Sequence, residues 1–294
     1  MMTVATSGYC PDVYDRQKDN FTLSYAGLSV TVSRNGGKII SFKRSGKEML
    51  TQRDIHPSYY GGTLWISPQA ANWPPSAEID REPYETHADG DMLSMTSRPD
   101  KKTGLMVRKT FRLSTADTSL LLQYTIINTS PDTVRLSPWD VVRTPPGISF
   151  FPAGEEAGVN NLGIDGSYVK NGTVWCPTDS LLPEKGLKLF HTAANGWLAH
   201  YANGLLLIKC FPDITPGEMP PGQGEVEIYI APQGAYAELE NHGRYVTLAP
   251  GDSTLYSQEW FLPDIGTGKQ EEIYDIVKNR ITRGVSPRGN PVFQ

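Results

Sequence analysis

The sequence predicts a large, mostly antiparallel all-β fold. Three observations carry this: apolar residues alternate in one short run after another, turn residues separate those runs at hairpin spacing, and a single stretch repeats with helical period. Leu28 to Val32 and Lys38 to Phe42 are alternating runs joined by Arg34-Asn35-Gly36-Gly37, a hairpin signal because Asn and Gly accept positive φ. Ser45-Gly46 turns the next hairpin. Met92 to Thr96, Met106 to Leu113, Leu120 to Asn128 and Thr133 to Leu136 read as a meander, broken at Asp117, Thr118 and Pro131, where turns form readily. Leu187 to Phe190, Trp197 to Tyr201, Leu205 to Phe211, Glu225 to Ile230, Tyr236 to Glu240 and Leu255 to Leu262 form a second strand-rich set. The helical stretch is Lys269 to Thr282, with Ile273, Ile276, Val277 and Ile281 on one stripe and acidic residues in its first turn, a helix expected to pack on a sheet. Pro57 to Pro83, Pro152 to Thr173 and Pro212 to Gly224 read as long loops. Tyr59, Tyr60, Trp65 and Trp73 argue that the first is ordered and wraps one rim of the sheets.

Composition narrows the function classes. At 294 residues, 38% hydrophobic and 20% charged, the chain can bury a large core, and residues 21–294 are expected to form one domain behind an N-terminal extension of residues 1–20. The net charge of −5 leaves no electrostatic footprint for nucleic acid or an anionic membrane, so a neutral partner is expected. The apolar runs are too short to span a membrane, and Met1 to Asn20 lacks the apolar region of a signal peptide. A soluble cytoplasmic protein is the expectation, or a periplasmic one if an export signal has been trimmed. Cys10, Cys176 and Cys210 are odd in number and widely spaced, which suggests neither a disulfide framework nor a zinc site. Without a phosphate loop, a Gly-x-Ser-x-Gly elbow or metal-type His spacing, no metal or cofactor is expected.

The stretch AYAELENHGRYVTLAPGDSTLYSQEWFL, ending at Leu262, places acidic side chains where a strand alternates. Extended, it directs Tyr236, Glu238 and Glu240 to one face and Ala237 and Leu239 to the core. Neighbours on one face of a strand stand roughly 6 to 7 Å apart, close enough for both carboxylates to line one polar pocket. His242 continues that face if the strand persists, although Asn241 and Gly243 suggest a turn. Trp65, Trp73 and Trp139 can act as stacking faces for a sugar or as packing residues. Arg143 suits either a clamp on a ligand oxygen or a structural salt bridge, and Asp140 is a candidate second carboxylate across a cleft. His191 and His200, flanking Asn195-Gly196, read as structural.

VRKTFRLSTADTSLLLQYTIINTSPDTVRLSPWDV, from Val107 to Val141, resembles the central stretch of galactose mutarotase-like proteins. AELENHG and VTLAPGDSTLYSQEWFL look like that superfamily's strand with the basic glutamate and its closing strand, and GGTLWISPQAANWPP is similar to an uncharacterised bacterial family of mutarotase-like domains. The resemblance implies a β-supersandwich of two large sheets with a sugar site on one polar face. It places Glu240 as the base that takes the anomeric proton, with Glu238 beside it. It also exposes a departure: where mutarotases carry a histidine as acid, this chain has Ser137-Pro138-Trp139-Asp140. An indole transfers no proton but donates a hydrogen bond and offers a stacking face. Three readings follow: an aldose 1-epimerase-like isomerase, a non-catalytic carbohydrate-binding domain, and a structural or interaction protein. A salt-bridge-filled face at Glu240 would speak for the last.

Overall fold

The computed structural model of the chain describes residues 12–17, 19–154, 166–191, 196–266 and 268–284. Its strands form two large antiparallel sheets. In the first, Asp12–Gln17, Asn20–Tyr25, Leu28–Ser33, Lys38–Arg44, Gly62–Ser67, Val134–Thr144, Ala237–His242, Val226–Ile230 and Leu187–His191 lie side by side in that order. In the second, the order is Tyr168–Lys170, Thr173–Pro177, Ile148–Pro152, Trp197–Ala202, Leu205–Cys210, Ser253–Phe261, Ser119–Asn128, Leu105–Ser114, Met92–Thr96 and Glu85–Asp89. The first strand, Asp12–Gln17, pairs with Asn20–Tyr25, so the sheet begins inside the segment expected to be an extension.

The core lies between the sheets. Phe42, Leu64, Leu239 and Ile228 from the first pack with Phe111, Leu122, Leu207 and Trp260 from the second, all fully buried. Each such side chain contributes roughly 1.5–3 kcal/mol by leaving water. Asn35-Gly36-Gly37 turns the hairpin between Leu28–Ser33 and Lys38–Arg44 as expected, with positive φ at both glycines. The helix Gln270–Gly284 lays Ile273 and Val277 on the outer face of the second sheet, against Phe150, Trp197 and Phe261. No helix among the described residues is long and apolar enough to cross a membrane. Cys176 and Cys210 are buried free thiols, and Cys10 lies outside the described residues.

Two strand readings need correction, and both bear on the site. The run at Thr133 to Leu136 does not continue the meander. It opens the longer strand Val134–Thr144, which crosses to the first sheet and pairs with Gly62–Ser67 on one side and Ala237–His242 on the other. The segment Pro57 to Pro83 is not all loop. Its middle, Gly62–Ser67, is a central strand buried at every position, so it shows no alternation, and its Gly and Pro flanks disguise it. Gly61 leads into it at φ +64, and a Cβ there would stand 2.1 Å from the Ile39 carbonyl oxygen, so only glycine fits. The Pro212 to Gly224 segment is irregular apart from one turn of 3-10 helix, Pro216–Glu218. In the Pro152 to Thr173 segment, residues 155–165 lie outside the described residues.

Candidate functional site

Pairing register builds the site on the outer face of the first sheet. Alternation along Val134–Thr144 sends Trp139, Val141 and Arg143 outward, and their cross-strand partners are His242, Glu240 and Glu238. Trp65 is the partner of Trp139 on the other side. One strand further, Glu227 and Tyr229 stand opposite Glu240 and Glu238, and Lys188 stands opposite Tyr229. Ala237–His242 runs through His242, so that residue does share the face of Glu238 and Glu240.

A pocket of about 250 Å³ opens above this face. Trp65, Trp73 and Trp139 line it with Tyr59, Tyr229 and Tyr236, and its polar groups come from Gln69, Lys188 and Glu238. The rings pack edge to face: Trp65 to Trp73 at 5.0 Å and Trp65 to Trp139 at 5.2 Å between centroids. Trp65 Nε1 donates to Asp80 Oδ1 at 2.8 Å, tying the loop wall to the strand. Burial, then Glu238, raises both the Tyr229 and the Tyr236 phenol, so each stays protonated and can donate.

Beneath the pocket lies an ion cluster. Trp139 Nε1 donates to Glu240 Oε2 at 2.7 Å, and Lys188 Nζ donates to the same oxygen at 2.9 Å. Lys188 Nζ is also 2.6 Å from Glu227 Oε2. Glu227 Oε1 accepts from the Gly224 backbone at 2.9 Å and from Gln223 Nε2 at 2.7 Å. Two buried carboxylates thus share one ammonium, which can neutralise only one of them. Burial opposes ionisation of Glu227, yet its neighbours His242, Lys188 and Gln223 outweigh this and hold it below the usual carboxylate range. Glu240 lacks the extra amide donors. Burial pushes it up to about 8, with Glu227 and Glu238 adding to the rise against the pull of Lys188. Its Oε1 is buried and has no hydrogen-bond partner. Burial lowers Lys188 too, but Glu240 and Glu227 reverse this and raise it, so it stays charged. His242 stacks on Trp139 at 5.6 Å, and burial lowers it to about 4 despite Glu227, leaving it neutral at neutral pH. At neutral pH the charge support of Glu227 therefore comes from Lys188.

Of the residues singled out in the sequence, Trp65, Trp73, Trp139 and Glu238 line the pocket, and Glu240 and His242 are sealed under it, both fully buried. Arg143 is a brace. Its Nε donates to Glu238 Oε1 at 2.8 Å, and its guanidinium lies 4.6 Å from the Trp65 ring, with no exposed surface. Asp140 is the one the structure separates from the rest. It alternates to the inner face, where Lys209 Nζ stands 2.7 Å away and the Tyr124 hydroxyl donates to it at 3.1 Å, so it cannot act as a carboxylate across the cleft. His200 is buried and bonded to Ser149, in keeping with a structural role, and the side chain of His191 lies outside the described residues. Lys188, Glu227 and Tyr229 were missed, although Leu187-Lys188-Leu189 and Val226-Glu227-Ile228-Tyr229-Ile230 carry the alternation that aims them outward. A larger cavity of about 460 Å³ lies between the helix and Phe261, remote from these carboxylates.

These two sheets and their pairing define a galactose mutarotase-like fold. Solved structures agree: a galactose mutarotase-like protein from Lactobacillus casei is 12% identical with a TM-score of 0.58, over 83% of this chain and 100% of that one. A galactose mutarotase-like protein from Clostridium acetobutylicum is also 12% identical, with a TM-score of 0.58 over 87% of this chain and 99% of its own. A TPR-domain containing protein from Parabacteroides distasonis, 16% identical, reaches 0.62 over 93% of this chain and 50% of its own. Identities this low carry the fold and not the activity. By its sequence the chain belongs to the family described as a domain of unknown function (DUF4380), whose model matches residues 64–263. A search of curated proteins returns no match.

Proposed function

We propose that this protein recognises a neutral carbohydrate in the Trp139 pocket, as a binding domain and not as an epimerase working through Glu240. The observation that carries the reading is the pocket wall: three indoles and three phenols around a few convergent polar groups, with the charges paired as Arg143 with Glu238 and Lys188 with Glu227. Aromatic faces stack on the C–H faces of a sugar ring while Gln69, Glu238 and the phenols meet its hydroxyls. A paired floor offers no net charge to attract an ion.

The same floor speaks against mutarotation. A base for the anomeric proton must reach it at hydrogen-bond distance in its ionised form. Glu240 is enclosed, held by Trp139 and Lys188, and retains its proton to about 8. Trp139 occupies the place of the acid, and His242 is neutral and sealed. The salt-bridge-filled floor, taken alone, would suit an interaction protein, but open space remains above it. The unpartnered Glu240 Oε1 supports one second reading, in which Lys188 swings away and the isomerase role returns.

Calorimetry on a panel of monosaccharides and short glycans tests the proposal, alongside saturation-transfer NMR of anomer exchange. Binding is expected, weakened by Trp73→Ala and Tyr229→Phe, with exchange no faster than in buffer. Absence of binding to every glycan overturns the saccharide reading. Exchange that speeds up with wild type and not with Glu240→Gln restores the isomerase.

A further inference from the structure

Trp73 walls two hollows. One is the Trp139 pocket; the other, about 260 Å³, lies on the far side of the same loop, between Asn72, Ser76 and Ile79 and the turn that carries Asp100 and Lys102. The indole is 41% exposed, yet its position is set: it packs at 5.0 Å on Trp65 and 6.1 Å on Tyr59, and its backbone N–H donates to Gln69 at 2.9 Å. Gln69 is itself held, its backbone N–H donating to Gln223 Oε1 at 2.9 Å. Gln223 in turn donates to Glu227 in the ion cluster, so the dividing wall is braced from the floor of the site.

Size and charge both speak to the ligand. Ligand pockets commonly measure roughly 300–1,000 Å³. Each hollow falls below that range, and the two together fall within it. In the second hollow Asp100 is consumed by its own turn, accepting from the backbone N–H of Lys102 and of Thr103 and from the Thr103 hydroxyl. Lys102 balances its charge across the hollow, whose remaining wall is formed by Ile66, Ile79, Pro74 and Pro75. The walls are largely apolar, and the one carboxylate and one ammonium leave no net charge, which favours a hydroxyl-rich and uncharged ligand. A single sugar ring would use only one side of Trp73. A chain of rings would use both, with the indole meeting consecutive units.

We propose that the ligand is a neutral oligosaccharide of at least two rings, laid across Trp73 with one ring in each hollow. This rests on the saccharide reading of the Trp139 pocket. The experiment is calorimetry with matched mono-, di- and trisaccharides of glucose, galactose, mannose and N-acetylglucosamine. It uses wild type and Ala71→Trp, an exposed position on the rim of the second hollow, with Lys102→Trp as a second plug from the Asp100 turn. In one series the disaccharide is expected to bind about tenfold more tightly than the monosaccharide, the scale of one added aromatic contact. Either plug should erase that gain and leave monosaccharide affinity unchanged. Equal affinity for one ring and two, or a gain that survives both plugs, overturns the oligosaccharide proposal while leaving the saccharide reading intact. If no sugar of any length binds, both fall together.

Discussion

Replacing Glu240 by Gln tests the protonation state on which the reading of the site depends. An unfolded glutamate titrates near 4.3, whereas Glu240 in the folded protein titrates at about 8, raised by its burial. Between those values the folded state holds one proton more than the unfolded state. The contribution of Glu240 is therefore fully present below the unfolded value and is lost as pH rises through the folded one. The slope is at most about 1.4 kcal/mol per pH unit and flattens near the folded value, so raising pH from about 5.5 to 7.5 removes roughly 2–3 kcal/mol from wild type. Other groups run the opposite way: burial lowers His200 and His242 to about 4 and Lys109 to about 7, so these gain stability as pH rises. They are present in both proteins and cancel in the difference. At 2–4 °C per kcal/mol for a chain of this size, Tm of Glu240→Gln relative to wild type should rise by about 5–10 °C between those pH values. Differential scanning calorimetry at a series of pH values reads this directly. A flat difference, or one that grows toward acid, would mean that Glu240 is ionised beside Lys188, and the argument against its acting as a base would fail.

Two further substitutions probe the two faces of the first sheet. Lys188→Met leaves Glu227 and Glu240 buried without their cation and is expected to destabilise by about 3–5 kcal/mol in chemical denaturation at neutral pH, with part of the loss restored in Lys188→Met/Glu227→Gln. Full stability in the single variant would contradict the shared-cation account. Asp140→Asn strands Lys209 between the sheets and should cost a similar amount, about 3–5 kcal/mol, while glycan affinity measured on the folded fraction stays as in wild type. A loss of affinity without loss of stability would place Asp140 functionally in the pocket after all.

Where the two faces of a strand differ in polarity, the strand was legible, and where both are apolar, it was not. Lys38 to Phe42, Leu120 to Asn128 and Tyr236 to Glu240 read correctly because polar and apolar residues take turns, and the C-terminal helix read correctly because Ile273, Ile276, Val277 and Ile281 repeat at helical spacing. Gly62–Ser67 is covered by the second sheet on one side and by the Trp73 loop on the other, so nothing in GTLWIS marks a face. The same limit decided how much of the site could be read. Glu238, Glu240 and His242 lie on one short strand and were found by counting in twos. Their partners lie far off in sequence: Trp139 is a hundred and one residues from Glu240, and Lys188 is fifty-two. Counting in twos would aim Lys188 and Glu227 outward, but only the lateral order of strands puts them beside Glu240. That order depends on which buried surfaces fit together across the whole core, and no local pattern encodes it. The consequence reaches function. A glutamate on an alternate position of a strand invites a catalytic role, and the neighbours that deny it that role, one ammonium shared with a carboxylate that has more hydrogen-bond donors, come from strands that a local reading cannot place.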